Sequence, residues 1–189
     1  MCKKDKTIVL IDGSNLYSTI RLLGFDLDYV KLKKYLSSTY DLLRINYYTA
    51  VSEESEYSAI RPLVDFLDYN GYSITKKQVK EFVDQETGNR RIKGSLDVEI
   101  AVDIMKASQT VDHIILVSGD GDFKYAVKAA QDMGVKVSVM STIKSDGYIL
   151  ADDLRRQADE LIDLADLKDK IARTDKPKES DKLPEGILK

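Results

Sequence analysis

The sequence predicts an α/β fold in which a single Rossmann-like parallel sheet carries helices on both faces. Two short runs, Thr7–Ile11 (TIVLI) and Ile114–Val117 (IILV), consist only of β-branched residues and leucine, which is typical of strands buried on both faces of a parallel sheet. Strand-like runs alternate along the chain with segments whose apolar residues recur at helical spacing. Such alternation implies right-handed crossovers within one sheet. The length of 189 residues fits one domain.

The first predicted unit is a strand, a turn and a helix. Thr7–Ile11 ends at Asp12-Gly13, and apolar residues then recur at helical spacing from Ser14 to Gly24, a residue type that commonly ends helices. The later patterns predict helices at residues 28–36, 57–69, 95–107 and 123–133, and strands at residues 42–51, 114–117 and 135–140. Residues 72–82 and the turn-rich segment 84–89 predict a polar hairpin.

The last part of the chain changes in composition. Residues 147–167 are predicted to be helical, and a short strand at residues 161–164 is an alternative for part of this segment. Lys, Asp, Glu and Pro then become frequent, a composition typical of flexible segments. We therefore divide the chain into a domain at residues 1–167 and a charged, flexible tail at residues 168–189.

The composition excludes several function classes. Lys and Arg number 29 and Asp and Glu 32, so the net charge of −3 provides no global basic field for nucleic acid. The single cysteine, Cys2, and the single histidine, His113, cannot form a disulfide or a Cys/His zinc site. The N-terminal apolar run is short and interrupted by Asp12, which predicts a cytoplasmic protein without a membrane partner. Any chemistry must therefore depend on carboxylates.

Acidic residues follow two of the predicted strands. Asp12 comes directly after the first strand, and Asp120 and Asp122 lie in the Ser-Gly-Asp-Gly-Asp segment that follows Ile114–Val117. Ligands of open parallel sheets collect beyond the carboxyl ends of the strands. These aspartates are therefore candidate site residues.

A fourth aspartate lies near the start of a predicted helix. Helical spacing places Asp97 on the same face as Ile100 and Ile104, so its carboxylate points inward from an apolar stripe. A buried carboxylate requires a hydrogen-bond partner, an opposite charge or a metal ion. Asp97 is therefore a candidate metal ligand.

A divalent cation would offset the mutual repulsion of these aspartates if they converge. Oxygen-only ligands favour Mg²⁺ or Mn²⁺, and such an ion lowers the pKa of an attacking water, so that hydrolysis requires no histidine. The sequence therefore predicts catalytic metal ligands at Asp12, Asp97 and Asp120, with Asp122 as a ligand or a water-orienting base.

Structural roles compete with these assignments. Acids at the start of a helix commonly cap it, which would explain Asp120 and Asp122 without a metal. Asn15 is equally consistent with a cap and with a site residue that holds a metal-bound water or a phosphate oxygen. Ser118 could donate a hydrogen bond to Asp12 or to phosphate, and it is also simply a small residue at a crowded strand end.

Other polar residues lie near these acids. Asp103 is placed outside the site, because an ion pair with Lys106 one helical turn away explains it. The basic run upstream of Asp97 is a candidate contact for a phosphate backbone. Its members are Arg90, Arg91 and Lys93. Three tyrosines either stack on bases or pack within strands, namely Tyr47, Tyr48 and Tyr72.

Three ordered motifs contain these residues: Asp12-Gly-Ser-Asn15, Lys93–Asp103 (KGSLDVEIAVD) and Ser118–Phe123 (SGDGDF). Together they resemble the NYN domain family, in particular its LabA-like branch. The resemblance continues through residues 129–137 (AAQDMGVKV), Leu154 and residues 158–164 (ADELIDL), so it covers about residues 5–167. The resemblance implies a PIN-like nuclease fold and metal-dependent cleavage of RNA, which we expect to be single-stranded. It also implies that the metal site is formed by Asp12, Asp97, Asp120 and Asp122. Family members commonly carry an aspartate at the position of Asp103, so whether Asp103 belongs to the site stays open. Whether the protein forms a homo-oligomer also stays open.

Two other functions compete with a ribonuclease. A haloacid-dehalogenase-like phosphatase also has an aspartate after its first strand and a Gly-Asp-Gly turn, but it expects acids where Ser14 and Lys124 stand. A noncatalytic RNA-binding module of the same fold is the other alternative, and the four intact aspartates argue against it. No dinucleotide-binding or P-loop glycine motif follows the first strand, which excludes those two classes.

Overall fold

The computed structural model describes residues 4–52, 60–83, 90–93, 95–144 and 149–174. These residues form a seven-stranded sheet with helices packed against it. Its strands are β1 (Lys6–Asp12), β2 (Asp41–Ser52), β3 (Ser73–Val83), β4 (Arg90–Lys93), β5 (His113–Val117), β6 (Lys136–Ser141) and β7 (Glu160–Asp163). Their spatial order is β4-β3-β2-β1-β5-β6-β7, and only the β3–β4 pair is antiparallel. The chain winds outward from β1 in one direction and from β5 in the other. The strand order therefore reverses between β1 and β5, where open sheets bind ligands.

Helices cover both faces of the sheet, because parallel strands expose apolar side chains on each side. The helices are α1 (Gly13–Leu22), α2 (Tyr29–Thr39), α3 (Arg61–Tyr69), α4 (Asp97–Ala107), α5 (Lys124–Asp132), α6 (Asp152–Gln157) and α7 (Lys168–Ile171). Alternate residues of β1 enter different cores: Val9 and Ile11 pack with α1 and α2, whereas Leu10 packs with α4 and α5. The predicted single α/β domain is confirmed.

Most of the predicted elements are present, and the main error lies after β6. The segment predicted to be helical at residues 147–167 forms a helix only at Asp152–Gln157, and Glu160–Asp163 adds to the sheet as β7. The short strand considered possible at residues 161–164 is therefore present, and it begins and ends one residue earlier, at Glu160 and Asp163. The predicted polar hairpin is confirmed as β3 and β4, while its turn at residues 84–89 lies outside the described residues, as do residues 57–59 of the predicted third helix.

The predicted flexible tail at residues 168–189 is wrong at its start. Lys168–Ile171 forms α7, and Ile171 is fully buried in the core with α2. The carbonyl of Ile171 accepts a 2.8 Å hydrogen bond from the backbone N–H of Asp28, and Ala172 pairs with Leu27. The packed chain therefore extends past residue 168, and residues 175–189 lie outside the described part. Among the described helices, none is long and apolar enough to cross a bilayer.

Candidate active site

The turn from β1 into α1 depends on a glycine. A Cβ atom on Gly13 would lie 2.7 Å from the ring and hydroxyl of Tyr47 and from the carbonyl oxygen of Tyr48. The absence of a side chain therefore lets α1 begin directly against the neighbouring strand β2. This close approach holds Asp12 at the carboxyl edge of the sheet, beside the end of β5.

Asp12 caps α1 with its carboxylate. Oδ1 accepts hydrogen bonds from the backbone N–H of Ser14 at 3.1 Å, from the hydroxyl of Ser14 at 2.8 Å and from the N–H of Asn15 at 3.2 Å. Oδ2 accepts a 3.2 Å bond from the hydroxyl of Ser118. Burial raises the pKa of Asp12, these hydrogen bonds oppose the shift, and the negative charge of Asp97 adds to it. Asp12 is thus a fixed, partly buried acid close to Asp97.

Side-chain hydrogen bonds join the loops that follow β1 and β5. Ser118 donates to Asp12 and accepts a 3.2 Å bond from the N–H of Asp120, which confirms one of the roles predicted for Ser118. The side-chain oxygen of Asn15 accepts a 2.9 Å bond from the N–H of Gly119. Of the alternatives left open for Asn15, the helix cap is excluded, because Asp12 caps α1 and the Asn15 side chain instead holds the two loops together.

Three of the predicted aspartates converge. Asp97 at the start of α4, Asp120 after β5 and Asp122 in the 3₁₀ turn Gly121–Phe123 each offer a carboxylate oxygen, and these oxygens lie within 4.8 Å of one another. Asp120 Oδ1 also accepts a 3.0 Å bond from the N–H of Asp122, so the predicted capping role of Asp120 is confirmed. Asp97 and Asp120 are half-buried and Asp122 is exposed, so the group opens to solvent. We call Asp97, Asp120 and Asp122 the acidic triad.

Asp12 lies beside the acidic triad and is not a member of it. Its link to Asp120 runs through the hydroxyl of Ser118. The four aspartates therefore form one acidic centre at the reversal of strand order, with three convergent oxygens and one fixed neighbouring charge.

Asp103 has partners of its own. Its carboxylate pairs with Lys106 at 3.2 Å, as predicted, and accepts a 2.8 Å hydrogen bond from the hydroxyl of Tyr48. Burial raises the pKa of Tyr48, and the nearby Asp103 charge adds to the shift. Nothing in the sequence indicates the Tyr48–Asp103 contact, because it depends on β2 lying under α4.

The tyrosines considered for base stacking pack inside the domain. Tyr47, Tyr48 and Tyr72 are each at most 2% exposed, which confirms the packing alternative and excludes them from stacking on a bound base. The hydroxyl of Tyr72 donates to the backbone carbonyl of Tyr29 at 2.7 Å.

The basic segment predicted to contact substrate forms the edge strand β4. Within the sheet, Thr75 of β3 lies level with Tyr48 and Asp12, and Lys80–Val83 pairs with Arg90–Lys93 farther along. That pairing begins about 16 Å beyond Thr75, at roughly 3.3 Å per residue. The backbone that carries Arg90, Arg91 and Lys93 therefore extends past the carboxyl edge at which the acidic centre lies.

Comparison with known proteins decides the family. The sequence model of the NYN domain family matches residues 6–165, which include all four aspartates. The chain belongs to the NYN domain family. This NYN domain is 31% identical over 178 residues to the low amplitude and bright protein LabA of Synechococcus elongatus, and the match covers 93% of this chain and 92% of LabA.

A solved structure shares the fold of this NYN domain. A protein of unknown function from Vibrio parahaemolyticus superposes with a TM-score of 0.68 at 24% identity, over 90% of this chain and 98% of that one. The NYN family has a PIN-like nuclease fold, which argues against the haloacid-dehalogenase-like phosphatase.

Proposed function

We propose that this NYN domain is a metal-dependent ribonuclease that hydrolyses RNA phosphodiester bonds at the carboxyl edge of its sheet. The observation that carries the proposal is the acidic triad, whose ligand oxygens lie within 4.8 Å of one another beside Asp12. Membership of a PIN-like nuclease family supports the same reaction and indicates RNA as the substrate.

The donor set of the acidic triad fits Mg²⁺ or Mn²⁺. All its donors are carboxylate oxygens, which hard divalent cations prefer. Asp97, Asp120 and Asp122 would hold the ion, with Asp12 as a neighbouring negative charge. When bound, the ion would polarise the phosphodiester and lower the pKa of the attacking water.

The protein's own residues orient the attacking water, supply negative charge and position the loops of the site. Asp122 is the exposed member of the triad, so its carboxylate oxygen can orient the attacking water and accept its proton. Asp12 is held by four hydrogen bonds and contributes a fixed charge. Asn15 and Ser118 keep the two loops in register, and we assign contacts with the phosphate backbone of the RNA to Arg90, Arg91 and Lys93.

A noncatalytic RNA-binding module is the second candidate, and one observation favours it. Asp12 and Asp120 both accept hydrogen bonds that stabilise the turns they belong to. Their presence is therefore explained in part without catalysis, and Asp97 is the more decisive residue because it caps nothing.

Cleavage of labelled single-stranded RNA by the purified protein tests the proposal. We expect cleavage with Mn²⁺ or Mg²⁺, none with EDTA, and a loss of about 100-fold or more in Asp97→Asn. Asp65→Asn on α3 is the matched control and should cleave normally, because Asp65 is exposed and lies away from the acidic centre. Calorimetric Mn²⁺ binding without cleavage of several RNAs would favour the noncatalytic module.

A further inference from the structure

An exposed aromatic residue lies close in the chain to the acidic triad. Tyr125 is the second residue of α5 and follows Asp122 by three positions. It is 82% exposed, and among the large apolar side chains in the described ranges only Tyr69 is more exposed, at 93%. Among the described residues, its hydroxyl makes no hydrogen bond, and its ring makes no contact with another aromatic ring and no cation–π contact.

The geometry of the helix directs Tyr125 toward the site. Residues three apart on a helical segment are neighbours, with Cβ atoms about 5 to 6 Å apart. Helical side chains also lean toward the N-terminus of their helix, over the preceding turn. For Tyr125 the preceding turn is Gly121–Phe123, which carries Asp122. This general geometry places Tyr125 beside Asp122, one helical turn away and on the same side of the segment.

The ring of Tyr125, rather than the neighbouring charge, suits a nucleic acid. Lys124 precedes Tyr125, but its Nζ lies 3.2 Å from the carboxylate of Asp153 and is paired with it. Nucleobases of single-stranded RNA stack on exposed aromatic side chains. Tyr47, Tyr48 and Tyr72 are buried, and among the described residues of α4, of α5 and of the loop after β5, Tyr125 is the only exposed aromatic residue.

We infer that Tyr125 is a base-stacking residue that gives this NYN domain a preference for unpaired nucleotides next to the bond that is cut. The inference rests on the proposed function, since it assumes that RNA binds at the acidic centre. Bases in a duplex stack on one another and are not free to stack on the ring, whereas bases in single strands are. Tyr125 therefore acts as a specificity-determining residue for the substrate.

Equilibrium binding without cleavage tests the role of Tyr125. Anisotropy of a fluorescent single-stranded oligonucleotide is measured in EDTA for the intact protein, Tyr125→Ala, Tyr125→Phe and Tyr69→Ala. We expect Tyr125→Ala to weaken binding about fivefold or more and Tyr125→Phe to bind within about twofold, because the ring is kept. Tyr69→Ala is the matched control, since Tyr69 ends α3 just before the amino end of β3, at the opposite edge of the sheet, and should bind normally.

Two probes give a readout that a merely structural role would not change. Quenching of 2-aminopurine within the oligonucleotide should occur with the intact protein and Tyr125→Phe and be lost in Tyr125→Ala. Binding of an RNA hairpin duplex should respond little to any of the variants. Unchanged affinity in Tyr125→Ala, or an equal loss for single strands and duplex, would overturn the inference.

The outcome is separable from that of the ribonuclease proposal. Binding that depends on Tyr125 in a protein that cleaves no RNA would support the inference and contradict catalysis. RNA cleavage and binding that do not change in Tyr125→Ala would support catalysis and contradict the inference about Tyr125. The absence of RNA binding by the intact protein, both in EDTA and with Mn²⁺ present, would overturn both.

Discussion

Asn15 accepts a 2.9 Å hydrogen bond through its side-chain oxygen from the backbone N–H of Gly119, although 104 positions separate them in the chain. The bond joins the start of α1 to the loop that carries Asp120. Gly119 is buried, and a Cβ atom there would lie 2.1 Å from the carbonyl oxygen of Ile149. The loop is therefore held from two sides, which keeps Asp120 near Asp97.

Replacing Asn15 with alanine should destabilise this junction. The buried N–H of Gly119 would lose its acceptor, so Asn15→Ala should lower the free energy of unfolding by about 1 to 3 kcal/mol. Urea denaturation measures this change. Asn70→Ala is the matched control: it removes an exposed hydrogen bond to the carbonyl of Phe66 and should cost less than about 0.5 kcal/mol. Equal losses in both variants would show that Asn15 has no special role.

Asp12→Asn should separate stability from activity. The amide keeps an acceptor for the N–H groups of Ser14 and Asn15 and can donate to Ser118, while it removes the negative charge. Because burial raises the pKa of Asp12, that charge is costly to the fold, and its removal should leave the free energy of unfolding unchanged or higher. RNA cleavage should fall by about 100-fold or more.

Thermal denaturation and cleavage assays on the same preparation check the Asp12 prediction. Asp12→Ala serves as the comparison, since it also removes the helix cap and should cost about 1 kcal/mol. Unfolding of Asp12→Asn, or full activity in it, would contradict the assignment.

His113 should make stability depend on pH. It begins β5, is 2% exposed, and its Nε2 lies 2.7 Å from the hydroxyl of Ser138. Burial lowers the pKa of His113 and the charge of Lys136 lowers it further, whereas nearby acids raise it, namely Glu160, Asp5 and Asp159. In the unfolded chain the histidine binds a proton at a higher pH than in the folded one.

The sign of this effect follows from proton linkage. The contribution of neutral His113 is fully present above its unfolded pKa of about 6.5 and is lost as the pH falls from there through the lower folded pKa. Urea denaturation between about pH 7.5 and 5.5 should show the intact protein losing stability relative to His113→Gln. Parallel pH profiles for the two proteins would contradict the prediction.

The basic edge strand should give RNA binding its salt dependence. Replacement of Arg90, Arg91 and Lys93 with glutamine should weaken binding and reduce the slope of log affinity against log salt by about 0.7 for each lost phosphate contact. The matched control carries glutamine at basic residues of the amino edge of the sheet, namely Lys4, Lys6 and Lys136. An equal change in both triple variants would indicate only a general charge effect.

The location of the acidic centre was predictable from local pattern. Continuous apolar runs identify β1 and β5 as strands buried on both faces, and a parallel sheet collects polar residues at their carboxyl ends. Asp12 and Asp120 could therefore be placed together from the sequence. Helical spacing added Asp97, because an acid on an apolar stripe needs a partner.

The short elements at the end of the chain were not predictable in the same way. β7 has only four residues and α7 only four, too few for a period to appear. Ile171 lies in a charged segment that resembles a flexible tail, and it is buried only because α2 offers an apolar surface beside it. The structure of this segment is therefore set by contacts with residues that are distant in the chain.

The sequence by itself therefore determined the longer strands, the main helices, the family and the four acids, because these depend on local periodicity and on ordered motifs. Only the tertiary structure decided which side chains meet. Asn15 bonds to Gly119 and Tyr48 to Asp103 because the strand order places β5 and β2 on either side of β1. The same packing buries Tyr47 and leaves Tyr125 exposed to solvent. No local pattern of the sequence predicts this difference in exposure.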